Sequence, residues 1–126
     1  MKVYDASALL AVVFSETGAD TVLGHLVEPG GCVSAVNWAE VASKMIERGV
    51  DRENLPRELR TFGLDVVPLD EPQALAAGVL SATTRPLGLS LGDRCCLALA
   101  QSLQAQVITA ERLWARLDGF DIALVR

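Results

Sequence analysis

Short extended runs alternate with longer helical patterns along the whole chain, and this alternation restricts the fold more than any other feature. The extended runs fall at Lys2–Tyr4, Cys32–Val33, Asp65–Leu69, Gln106–Ile108 and Ile122–Val125. Helical patterns cover Ala6 to about Phe14, Ala19–Leu26, Ser34 to about Arg48, Asp51 to about Leu59, Glu71 to about Thr83, and Leu91–Leu103, with a short one at Glu111–Leu117. In the third of these, Trp38, Val41, Ala42, Met45 and Ile46 recur at helical spacing. Ser34 is placed to cap that helix and Gly49 to stop it. Glu28-Pro29-Gly30-Gly31 and Arg85-Pro86-Leu87-Gly88 supply further breaks. Strands that alternate with helices predict a mainly parallel sheet with helices on both faces, a small three-layer α/β/α sandwich. The 126 residues suffice for one domain, taken as 1–126.

Composition removes several classes of function. The hydrophobic fraction of 51% supplies a core and argues against disorder. No apolar run reaches the roughly 20 residues that span a bilayer, and no secretory leader precedes Asp5, so a cytoplasmic protein is expected. Cys32, Cys95 and Cys96 form neither a CxxC pair nor a zinc spacing, and read as small buried thiols. The only histidine, His25, leaves no Ser-His-Asp triad and little zinc chemistry. Neither GxGxxG nor GxxxxGK[ST] is present to cradle a nucleotide phosphate. A net charge of −5 argues against a general nucleic-acid-binding surface. An enzyme acting on nucleic acid remains open, with Lys44, Arg48, Arg94, Arg112 and Arg116 as a possible basic rim.

Four acids stand beside apolar segments: Asp5, Glu40, Asp93 and Glu111. In a parallel sheet, Asp5 and Glu111 fall at the carboxyl edge, where such folds place their sites. Glu40 and Asp93 are expected in the first turns of helices, whose N-termini favour anions. Asn37, Glu40 and Lys44 share one helix face. Asn37 is thus placed to orient the Glu40 carboxylate, while Ser7 and Thr109 bring hydroxyls to the same edge. Singly, each acid has an ordinary account: Asp5 as an N-cap, Glu40 as a partner of Lys44, Asp93 in a capping box with Ser90, and Glu111 as a first-turn acid. Gathered together they would repel one another unless a cation joined them.

The stretches Val3–Leu10, Ser34–Val41, Leu87–Arg94 and Val107–Trp114 together resemble the PIN-domain ribonucleases, most closely the toxins of bacterial type II VapBC toxin–antitoxin pairs. Any one stretch is weak, but the ordered set spans essentially the whole chain. Asp5, Glu40 and Asp93 match acidic positions of the family, and Ser7, Asn37 and Thr109 match its supporting polar positions. The fourth acid is usually aspartate in a Thr-Ala-Asp pattern; here it is Glu111, one methylene longer.

The resemblance implies Mg²⁺- or Mn²⁺-dependent hydrolysis of RNA phosphodiesters, with one or two ions. Asp5 and Asp93 would be central ligands, with Glu40 and Glu111 binding directly or through water. It also implies a VapB-like antitoxin that carries any DNA binding, and a homodimer. Leu9, Leu10, Val12, Val13 and Phe14 are candidates for the partner surface. The rival expectation is a catalytically silent PIN-like module that binds RNA or a protein. A response-regulator receiver is more distant, lacking a paired-acid first strand and a suitably placed lysine.

Overall fold

The structure, a computed structural model, describes residues 1–126. Its strands are β1 (Lys2–Tyr4), β2 (Cys32–Ser34), β3 (Asp65–Val67), β4 (Gln106–Thr109) and β5 (Ile122–Leu124). Its helices are α1 (Ala6–Val13), α2 (Ala19–Leu26), α3 (Ala35–Glu47), α4 (Leu55–Arg60), α5 (Glu71–Thr84) and α6 (Leu91–Leu103). All strand pairs are parallel, in the order β3-β2-β1-β4-β5. The expected α/β architecture is present, with helices on both faces of the sheet.

The strands alternate their side chains between two cores, as the pleat requires. Val3, Cys32 and Val107 pack with α5 and α6 against Leu80, Leu97 and Trp114. Tyr4, Val33 and Ile108 pack on the other face with Leu9, Val41 and Met45. Because both faces are covered, the central strands carry almost no polar residue until they end. Polar chemistry is thereby pushed to the strand ends.

Three local differences from the sequence expectations have simple causes. The segment from Asp51 forms a turn first, and α4 begins only at Leu55, with Pro56 in its first turn, where a missing N–H costs nothing. The last helical segment is a 3₁₀ turn at Arg112–Arg116, anchored by buried Trp114. Lys44 pairs with Glu47 at 3.3 Å rather than with Glu40.

The chain closes on itself at Gly18. This residue has φ +99°, and a Cβ there would lie 2.6 Å from the Val125 carbonyl oxygen. Arg126 reinforces the closure by donating to the Thr17 carbonyl at 3.3 Å. Gly18→Ala therefore combines a left-handed backbone with a clash against backbone that cannot yield easily. It should destabilise the fold by roughly 2 kcal/mol, read from urea or thermal unfolding. A variant as stable as the parent would show that the Gly18–Val125 approach does not constrain the fold.

Candidate active site

β1 lies at the centre of the sheet with β2 on one side and β4 on the other. The chain winds from β1 through β2 to β3, then crosses back to β4 and continues outward to β5. The reversal occurs between β1 and β4, and ligands of open parallel sheets bind at the carboxyl end of such a switch point. Asp5 immediately follows β1 there, and its N–H donates to the Ile108 carbonyl at 3.0 Å. Thr109 ends β4 beside it.

Asp5 is only 2% exposed. It caps α1, accepting from the Ser7 N–H at 3.4 Å. Two hydroxyls also donate to its Oδ2, from Ser7 and, at 2.9 Å, from Thr109. Each hydroxyl is itself oriented by a backbone donor: Ala110 N–H to Ser7 Oγ and Glu111 N–H to Thr109 Oγ1, both at 3.0 Å. That arrangement directs both hydroxyl protons at Asp5. Oδ1 accepts no hydrogen bond from the protein. Thus one carboxylate oxygen is fixed and the other is left open.

Glu40 lies past the first turn of α3, not within it as expected: Ser34 caps the helix as anticipated, which makes Glu40 its sixth residue. Its carboxylate Oε1 accepts from Asn37 Nδ2 at 3.0 Å. It sits against Gly92 of α6, where a Cβ would collide with it. Asp93 occupies the first turn of α6 in a complete capping box: its Oδ2 accepts from Ser90 N–H at 2.9 Å, and its N–H donates to Ser90 Oγ at 3.2 Å. Asp93 thus fills the capping-box role that its spacing from Ser90 predicts.

Electrostatics tie Asp5, Asp93 and Glu40 together. Burial pushes the Asp5 carboxyl up to about 6; the Ser7 and Thr109 hydrogen bonds oppose this rise, and nearby Asp93 adds to it. Burial also raises Glu40, opposed by Asn37 and assisted by Asp93. Cys96 lies behind them, fully buried and inert as a thiol, held well above its usual range by burial and by the same three acids.

Glu111 stands apart. It is exposed, precedes the 3₁₀ turn, and makes no side-chain hydrogen bond, although its backbone is tied to Thr109. The expected basic rim is largely engaged elsewhere. Arg48 lies 4.2 Å over the Phe14 ring, Arg94 donates to the Ala77 carbonyl at 3.0 Å, and Arg112 donates to the Arg126 carbonyl at 3.3 Å.

The donor set suits a hard divalent cation: all oxygen, with one open carboxylate oxygen in a place that penalises uncompensated charge. No three acidic, histidine or cysteine side chains converge tightly enough to form a ready-made cage. Mg²⁺ does not require one, since it keeps several waters and takes one or two protein carboxylates. Sequence reasoning overlooked Gly92. Its signal was a glycine inside the first turn of a helix, a position that is costly unless packing demands it.

Raised carboxyl groups give a pH dependence of definite sign. Folded Asp5 binds its proton below about 6, whereas the unfolded group releases it near 3.8. Its contribution to stability is fully present below the unfolded value and is lost as pH rises through about 6. In chelator, Asp5→Asn should raise stability at pH 7.5 by about 1–3 kcal/mol and change it little at pH 4. Thermal unfolding at the two pH values checks this; an equal effect at both would contradict the burial of an ionisable charge.

A PIN domain family model matches residues 2–119. No curated protein matches the sequence. Among solved structures, a toxin–antitoxin complex from Klebsiella pneumoniae has a chain with TM-score 0.80 at 18% identity, covering 100% of this chain and 98% of that one. VapBC-1 from nontypeable Haemophilus influenzae gives TM-score 0.73 at 19% identity, with coverage of 98% and 97%. VapBC2 from Rickettsia felis, bound to a DNA fragment from its promoter, gives 0.75 at 12%, with coverage of 98% and 97%. At these identities the structural likeness establishes the fold, and the family model extends over nearly the whole sequence. The chain belongs to the PIN domain family.

Proposed function

We propose that the chain is a divalent-cation-dependent endoribonuclease, the toxin of a VapBC-type toxin–antitoxin pair acting in the cytoplasm. Asp5 carries this reading: a buried carboxylate at the switch point, one oxygen locked by hydroxyls and the other open. Family membership supports it, as do structural relatives described as toxin–antitoxin complexes.

Asp5 and Asp93 would hold Mg²⁺ or Mn²⁺, with Glu40 and Glu111 acting directly or through water. A cation bound there supplies an acidified water and a counter-charge for the phosphate. Ser7 and Thr109 keep the Asp5 carboxylate from rotating. The Ser90 capping box holds the Asp93 carboxylate at the start of α6, and Asn37 fixes Glu40 beside it. The site contains no histidine, since His25 is on α2 near Lys2 and Glu28, so water and carboxylates must carry the protons.

One observation favours the rival, a silent binding module: the acids do not already form a cage. Cleavage separates the two readings. Asp5→Asn and Asp93→Asn should each lower Mg²⁺-dependent RNA cleavage at least about a hundredfold, with unchanged circular dichroism. Glu111→Gln should cost about tenfold or less, as an exposed group acting through water. Undiminished cleavage by the pure Asp5 and Asp93 variants would contradict the site.

The partner reading has its own surface. A mainly apolar groove of about 360 Å³ is lined by Val12, Val13, Leu23, Leu26, Met45 and Phe62, with Glu58 and Thr61 as its polar members. It fits an apolar helix of an antitoxin, whose basic side chain could occupy the cation's place among the acids. Of the candidate partner residues, Leu9 is buried and Phe14 lies under Arg48; Leu10, Val12 and Val13 are half-buried, and of these Val12 and Val13 line the groove. DNA contact is assigned to the partner, in keeping with the net charge of −5. No helix is long and apolar enough to cross a membrane. Leu75 and Val79, 64% and 73% exposed, lie on the uncharged stretch of α5 and are assigned to a homodimer. Val13→Asp should weaken antitoxin capture at least about tenfold while sparing cleavage by the free protein; unchanged capture would move the interface elsewhere.

A further inference from the structure

We infer that Gly92 and Asn37 act together as a latch that positions the Glu40 carboxylate across the gap between α3 and α6. This rests on the metal-dependent reading above and extends it to two residues that would touch neither cation nor substrate.

Three observations meet at this point. Asn37 is fully buried, and its amide nitrogen donates to two acceptors from different helices: Glu40 Oε1 on α3 and the Gly92 carbonyl on α6, each at 3.0 Å. Its amide oxygen is buried with no hydrogen-bond partner. The two acceptors dictate which way round the amide must stand, because the reversed amide would set oxygen against the Gly92 carbonyl and the Glu40 carboxylate. The two acceptors thereby fix the amide and both of its donor bonds.

Gly92 supplies the other half. A Cβ there would stand 2.0 Å from Glu40 Oε1 and 2.8 Å from Cδ. Any larger residue would displace the carboxylate from its seat. The displaced atoms are the far end of a flexible side chain, so the protein could absorb the change without unfolding. Glycine is otherwise disfavoured within a helix, and here it lies between the capping residue Ser90 and the acid Asp93. Glu40 is thereby held beside Asp93 by one donor and one absent methyl group. Gly92 and Asn37 are positioning residues, acting only through Glu40.

This makes an unusual separation testable. Gly92→Ala should leave folding stability unchanged or raised, as alanine favours the helix, yet weaken Mn²⁺ binding by about tenfold in calorimetric titration. Asn37→Ala should weaken Mn²⁺ binding similarly. In a Glu40→Gln background neither substitution should weaken it further by more than about twofold, since both act through that carboxylate. Independently of metal, the Asn37 side-chain NH₂ protons should be protected from solvent exchange by NMR, with protection lost in Glu40→Ala and Gly92→Ala. Wild-type Mn²⁺ affinity in folded Gly92→Ala, or Asn37 exchange unaffected by both changes, would overturn the latch. If the parent chain binds no Mn²⁺, the metal reading falls, and the exchange measurement alone decides the latch.

Discussion

A carboxylate buried to 2% exposure at the end of the central strand is the constraint around which the rest of the site is arranged. Asp5 cannot retreat to solvent, because its backbone continues the β1–β4 pairing and its side chain caps α1. The two hydroxyls that support it are not placed by chance. Each is itself pinned by a backbone N–H from the segment after β4, so the first strand, first helix and fourth strand converge on one oxygen atom. Hydrogen bonding offsets only part of the desolvation penalty, and the carboxyl remains raised to about 6. A bound cation would remove the remainder.

The parallel sheet explains how residues so far apart in sequence come to face one another. Crossovers through α1–α2, α3–α4 and α5–α6 carry the chain back to the start of each next strand, so every strand ends at the same carboxyl edge. Glu40 arrives on α3 and Asp93 at the start of α6, and the two helices meet where Gly92 lets a carboxylate approach. Ser90 and Asp93 satisfy each other at the helix end, so Asp93 serves the fold and the electrostatics of the pocket with the same carboxylate.

Much of this could be read from the sequence because the governing signals are local. Alternating strand and helix patterns set the layers, Ser34 and Ser90 cap the helices they were expected to cap, and Leu91–Leu103 is helical over the expected span. Asp5 was locatable because a charge between two core-seeking segments is conspicuous. What local patterns could not reveal is pairing across space. Lys44 is one turn from Glu40 yet bonds Glu47, and Arg94 turns away to the Ala77 carbonyl. Glu111 follows the strand as expected, but the chain leaves it exposed just before a 3₁₀ turn rather than inside a helical first turn. The seat for Glu40 depends on a missing methyl group in another helix, which no spacing rule encodes.

The metal centre depends on the open oxygen of Asp5 facing a cation. A crystal of the free chain grown at neutral pH with ample Mn²⁺, with anomalous differences recorded, addresses this directly. A Mn²⁺ peak bonded to Asp5 Oδ1 and shared with Asp93 is the expected result. Ordered density for both carboxylates with no Mn²⁺ between them would contradict the metal centre and favour a module that binds without cutting.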